Sequence, residues 1–266
     1  MGERVRVRRE RPGALCVAFA LLLTMLCVYL ITLGRAHAPE AALEPEGDAP
    51  RVTQEVAFDG MEAHFVALGQ YATAEEARIE AARYIPRGAA GYVLETDEGF
   101  CVLGAGYGAQ AEAEGVADAL AAQEGLSCFV HEHSAPGVRL RVTAQEAQIA
   151  RVCEAEALLR AVAQELADIA LRLDRAEIES GAARTLVNVA SGRLSDAHEA
   201  LLSIPGAREN AVCAGLLTLT EQFRASLFVL SGENSETTLS LSAKIKYNSI
   251  DIALSHMRYL RNLNGL

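Results

Sequence analysis

The sequence predicts an α+β protein: a small sheet-and-helix domain, then an all-α antiparallel helical bundle, behind an N-terminal transmembrane helix. Three observations predict it. Residues 13–34 are apolar and carry no charge. Between residues 55 and 142, short apolar runs alternate with two helical stretches, separated by turn residues. From Thr143 onward, apolar residues recur at threes, fours and sevens, the spacing of helices with one buried seam.

The apolar run comes first. Roughly 20 apolar residues in a helix cross a hydrocarbon core about 30 Å thick. Arg4, Arg6, Arg8, Arg9 and Arg11 precede the run, and only Arg35 stands close behind it. The arginine-rich end stays in the cytoplasm, so residues 1–12 are expected inside the cell and the C-terminal bulk outside. A cleaved signal peptide is the rival reading. Its apolar region is shorter, about 7–15 residues, and ends in a small-residue cleavage site. His37-Ala38-Pro39 is a poor version of that site, because proline follows the small residue. A single-pass anchor in the cell membrane is therefore expected.

The chain has 266 residues and a net charge of −11. That balance argues against a nucleic-acid partner, since phosphate binding relies on clustered lysine and arginine. Of six cysteines, Cys16 and Cys27 lie in the apolar run, and Cys101, Cys128, Cys153 and Cys213 are scattered without C-x-x-C spacing. Single buried thiols are expected rather than a zinc site.

Residues 35–54 are rich in Ala, Pro and Glu. Such a segment buries too little to offset ordering entropy and reads as a flexible linker. In the 55–142 domain, His64 to Leu68 is a first strand. Thr73-Ala74-Glu75-Glu76 reads as a capping box opening a helix that Pro86-Arg87-Gly88 stops. Tyr92-Val93-Leu94 and Phe100 to Ala105 form a hairpin about Asp97-Glu98-Gly99. Gln110 to Ala122 is a second helix, Leu126 to His131 a fourth strand, and Arg139 to Val142 a further edge strand. The order β-α-β-β-α-β is the ferredoxin-like split β-α-β layout. An internal repeat supports it: Val66, Tyr71, Glu76 and Ala77 recur as Val102, Tyr107, Glu112 and Ala113 at one constant offset.

These residues resemble the SPOR (sporulation-related repeat) domain family. Phe65-Val66-Ala67-Leu68-Gly69-Gln70-Tyr71 with Glu76-Ala77 is similar to the family's first copy of strand and helix, and Val102 to Tyr107 with Glu112-Ala113 to its second. The resemblance covers about Met61 to His133. The family often has glutamine where Ala67 stands and arginine where Cys101 stands. It implies binding of peptidoglycan glycan strands stripped of their stem peptides, at division septa, through an open sheet face. If Val66 and Val102 point at the helices, Phe65, Ala67 and Leu103 project from that face, with Gln70 supplying an amide nearby. An aromatic ring suits a sugar face because both bury apolar surface. The plainer alternative is that Phe65 packs under the edge strand or against the bundle. Tyr71 and Tyr107 are expected in the core.

From Thr143 the chain is helical. Thr143-Ala144-Gln145-Glu146 reads as a second capping box, and no proline or glycine intervenes before Gly181. The seam from Ile149 to Leu173, within the uninterrupted run that starts at Thr143, predicts a helix of more than 30 residues, broken at Ser180-Gly181. Leu186 to Ile204, Val212 to Leu230 and Leu239 to Leu260 predict three more. Short connections favour antiparallel neighbours, so residues 143–266 read as an up-down bundle.

Candidate chemistry is sparse. His131-Glu132-His133 places two histidines on one face of a strand, but no third ligand follows at a defined spacing. A solvated strand end is expected, with no metal and no cofactor. Gly104-Ala105-Gly106-Tyr107-Gly108 lacks the Lys-Ser/Thr of a phosphate loop and reads as a strand turning into a helix. Lys244, Lys246, Arg258 and Arg261 form a late basic cluster, expected as a solvated face. No nucleophile or paired catalytic carboxylates stand out, so an enzyme is not expected. Two readings follow. One is a membrane-anchored envelope protein that binds denuded peptidoglycan during division or sporulation, its bundle contacting another such protein. The other is an envelope scaffold that works through the bundle, its SPOR-like module no longer binding glycan.

Overall fold

The computed structural model describes residues 49–232 and 237–265. The expected cytoplasmic segment, the transmembrane helix at 13–34 and the linker as far as residue 48 lie outside the described residues. Among the described residues, no helix is long and apolar enough to cross a membrane.

Among the described residues the architecture is α+β, with six strands in two sheets and six α-helices. The strands are β1 (Arg51–Phe58), β2 (Met61–Tyr71), β3 (Tyr92–Thr96), β4 (Gly99–Tyr107), β5 (Phe129–Ala135) and β6 (Val138–Gln145). The helices are α1 (Ala74–Tyr84), α2 (Gln110–Glu124), α3 (Glu146–Asp174), α4 (Ser180–Leu202), α5 (Ala211–Gly232) and α6 (Thr238–Asn264).

The larger sheet has the order β3-β4-β2-β5, with every neighbouring pair antiparallel. Thr73 caps α1 by accepting from the Glu76 amide at 3.2 Å. Side chains alternate across a strand, and the two faces bury different partners. Val66 and Val102 join Ala77, Ala81, Ala113 and Ala117 beneath α1 and α2. The repeat is thus visible in the packing, since Val66/Val102 and Ala77/Ala113 take equivalent places in one cluster. Tyr71 and Tyr107 lie half-buried at its margin.

β1 and β6 form a separate antiparallel ribbon, from Arg51 opposite Gln145 to Phe58 opposite Val138. The ribbon carries the β2–β5 pair onward past Asp59-Gly60 and Pro136-Gly137. The two chains touch backbone to backbone there: a Cβ on Gly137 would lie 2.9 Å from both Gly60 N and Phe58 O. β1 corrects the expected linker, because Arg51 to Gln54 are strand rather than tether. It also corrects the second capping box. Thr143 lies in β6, its hydroxyl 2.8 Å from that of Thr53 across the ribbon. Capping passes to Gln145, which forms a reciprocal box with Gln148. A ladder partner outcompetes a cap for Thr143, so α3 starts later and runs 29 residues, about 44 Å.

The four long helices follow the predicted seams, except that Leu186, Leu239 and Tyr247, expected on them, are exposed. Leu159, Leu166, Leu194, Leu216, Phe223 and Leu254 are buried in one cluster. Ser180, the expected break, is instead the first residue of α4. The domain division at residue 143 is not a physical one. Arg51–Leu266 form one compact unit, and the larger core cluster runs from the bundle into Phe65, Ala67 and Leu103 of the sheet. α6 lies across β3, β4 and β5. The sheet is therefore covered on both faces, by α1 and α2 on one and by bundle helices on the other.

The basic cluster expected in solvent helps to hold that cover. Lys246 Nζ donates to Gly88 O at 2.7 Å and pairs with Asp174 Oδ2 at 2.6 Å. Arg261 donates to His133 Nε2 at 2.9 Å and to Ser134 O. Both residues tie α6 to neighbouring layers.

Candidate functional site

The sequence nominates Phe65, Ala67, Gln70 and Leu103 as an open sugar-binding face. Phe65 is 1% exposed, and Ala67 and Leu103 are also fully buried. α6 supplies the cover. Ile250 stands against Gly106, beside the Phe65 ring. The Tyr92 and Tyr247 rings lie 5.0 Å apart, and Tyr92 donates to Asp251 at 3.3 Å. Burial, with the nearby Asp251 charge, pushes the Tyr92 hydroxyl up to about 12, so it stays a donor. Gln70 alone is exposed. Its amide donates to Glu98 O at 3.1 Å, bracing the β3–β4 turn. The four residues do not form an open platform. What remains of the face is a cavity of about 360 Å³ between sheet and bundle, lined by Phe65, Gly106, Tyr107, Arg160, Gln164 and Ser249 among others.

The His131-Glu132-His133 stretch divides between the two faces. Phe65 stands opposite His131 and Ala63 opposite His133, so both histidines share the bundle side. Their rings are 6.1 Å apart. This is not the solvated strand end that the sequence suggests. Burial first, then the Arg261 guanidinium, brings the His133 pKa down to about 4. The ring stays neutral and accepts from Arg261. Unfolded histidine titrates near 6.5, so the folded value is depressed. Stability tied to His133 is complete above about pH 6.5 and is lost as pH falls towards 4. The urea midpoint is expected to fall across that window, and His133→Gln to flatten the fall. An unchanged slope in the variant would show that other groups carry it.

Glu132 points the other way, with Val130, Val66 and His64. It lies opposite His64 in the β2–β5 register, and Glu62 lies two residues before His64 on the same strand face. One ligand atom from each of Glu62, His64 and Glu132 lies within 4.8 Å of the others. His64 Nε2 is 3.4 Å from Glu62 Oε1. The imidazole is 5% exposed, and its Nδ1 is buried with no hydrogen-bond partner. Beside them opens a cavity of about 410 Å³, reaching Glu114 and Asp118 of α2. The sequence pairs His131 with His133 and offers no third ligand, whereas the sheet register sets Glu132 beside Glu62 and His64 of β2. The signal available was Glu62-x-His64, an i,i+2 pair running into the first predicted strand.

No family model, curated protein or solved structure matches the chain. The functional reading therefore rests on the residues themselves.

A third polar group lies deeper. His256 is fully buried and Glu156 nearly so. His256 Nε2 stands 3.0 Å from Glu156 Oε1, but off the line a hydrogen bond requires, so the pairing is mainly electrostatic. Glu156 also accepts from Arg160 at 3.1 Å. Burial raises the Glu156 pKa, but His256 and Arg160 outweigh it and hold the carboxyl below its ordinary value. Arg160 continues outward, donating to Asp59 O at 2.8 Å and Gly60 O at 2.9 Å. The chain His256–Glu156–Arg160 links α6 through α3 to the break in the long ribbon.

Proposed function

We propose that this chain is a non-enzymatic envelope scaffold. It is anchored by residues 13–34 and built on a ferredoxin-like, SPOR-like module that no longer offers its glycan face. The observation that carries the reading is the burial of Phe65, Ala67 and Leu103 under the chain's own bundle. A sugar ring needs a flat, exposed aromatic; a ring packed in a core has no face left to give. On this reading the bundle closes the sheet on its inner side and meets a division or sporulation protein on its outer side. Phe228 and Val229 of α5, 67% and 60% exposed, are among the apolar residues the bundle offers for such a contact.

The test uses the full-length chain in detergent micelles, mixed with peptidoglycan sacculi. Sacculi treated with an amidase, which strips stem peptides, are expected to retain no more protein than untreated ones. Saturable, preferential retention on the treated sacculi would overturn the scaffold reading and restore glycan binding.

A further inference from the structure

We propose that Glu62, His64 and Glu132 form a binding site for a divalent transition-metal ion, of which Zn²⁺ is the natural probe. The inference is independent of the scaffold reading. It begins with register. Glu62 and His64 share one face of β2, and β5 sets Glu132 directly opposite His64. Three ligand atoms therefore converge from two paired strands.

The spacing suits an ion. Two atoms each about 2.0–2.1 Å from a tetrahedral zinc stand about 3.3–3.4 Å apart. His64 Nε2 and Glu62 Oε1 are 3.4 Å apart. The three ligand atoms lie within 4.8 Å of one another, and the two carboxylates that would move to close on an ion are exposed.

A further observation points to a cation: the charge is one-sided. Glu114 and Asp118 line the same cavity as Glu132 and His64, and among its described lining residues there is no lysine or arginine. Converging carboxylates repel one another, and a bound cation removes that repulsion.

The donor set narrows the ion. One imidazole with two carboxylates suits zinc or manganese; soft Cu(I) prefers thiolates and thioethers. Calcium and magnesium prefer all-oxygen shells. Glu62 and Glu132 are exposed, which leaves further coordination positions facing the cavity.

Chelator-stripped full-length chain is titrated with ZnCl₂ against a chromophoric competitor. One equivalent is expected to bind saturably. Glu62→Gln and Glu132→Gln, both surface changes, should each weaken it at least about tenfold with an unchanged circular dichroism spectrum. His131→Gln and His133→Gln should leave it intact, and X-ray absorption should report one imidazole ligand. The assignment is overturned by any of three results: absence of saturable binding, undiminished binding in both glutamine variants, or displacement by equimolar Ca²⁺. The last would mark a diffuse acidic patch.

Discussion

Replacing Phe65 by alanine is expected to destabilise the fold by about 3–5 kcal/mol, the usual cost of removing a large buried aromatic. The sugar-binding and structural roles of this residue make opposite predictions. An exposed aromatic on a binding face can be trimmed with a change within about 0.5 kcal/mol, losing ligand but not stability. Phe65 is instead enclosed. Its ring comes within 3.0 Å of where a Cβ on Gly106 would stand, and Ile250 of α6 closes the same spot. Removing the ring leaves a hole at the seam between sheet and bundle, where neither layer can collapse without the other. Urea unfolding followed by circular dichroism measures the effect. A lower midpoint at unchanged slope reports lost stability without a change in the surface exposed. A shift below about 0.5 kcal/mol would mean that the face is open in solution and that the bundle does not cover it.

The clue to that cover was present in the strands themselves. A strand with one face in water alternates apolar and polar residues; one covered on both faces reads as a continuous apolar run. Phe65-Val66-Ala67-Leu68 and Cys101-Val102-Leu103 are continuous. They announce helices on both sides, but cannot say which helices. The bundle seams were legible because a helix repeats its core position every three or four residues over many turns. β1 was not legible. Only Val56 and Phe58 of its eight residues are buried, and its partner lies about 90 residues away in β6. The Glu62–His64–Glu132 group escaped for a related reason. Its members adjoin only through strand register, which no local pattern encodes.

Replacing Glu156 by leucine is expected to cost about 3–5 kcal/mol, as for any buried ion pair that loses one partner. The cause is not the loss of attraction alone. His256 has no exposed surface, and without Glu156 its Nε2 loses the carboxylate it stands against and has no route to water. Arg160 also loses the carboxylate that orients it towards Asp59 O and Gly60 O. The effect should therefore spread in a definite direction. Amides of β1 and β6, beyond the Gly60–Gly137 break, should exchange hydrogen faster in the variant than those of β3 and β4. A second substitution separates the pair from its surroundings. Contacting groups couple and distant ones add, so Glu156→Leu combined with His256→Leu should cost less than the two singly, by at least about 1 kcal/mol. Additivity within about 0.5 kcal/mol would show that the two side chains only share a neighbourhood. On the physical argument they do more. They form one strut from α6 through α3 to the ribbon, and that strut fixes how the bundle sits on the sheet it covers.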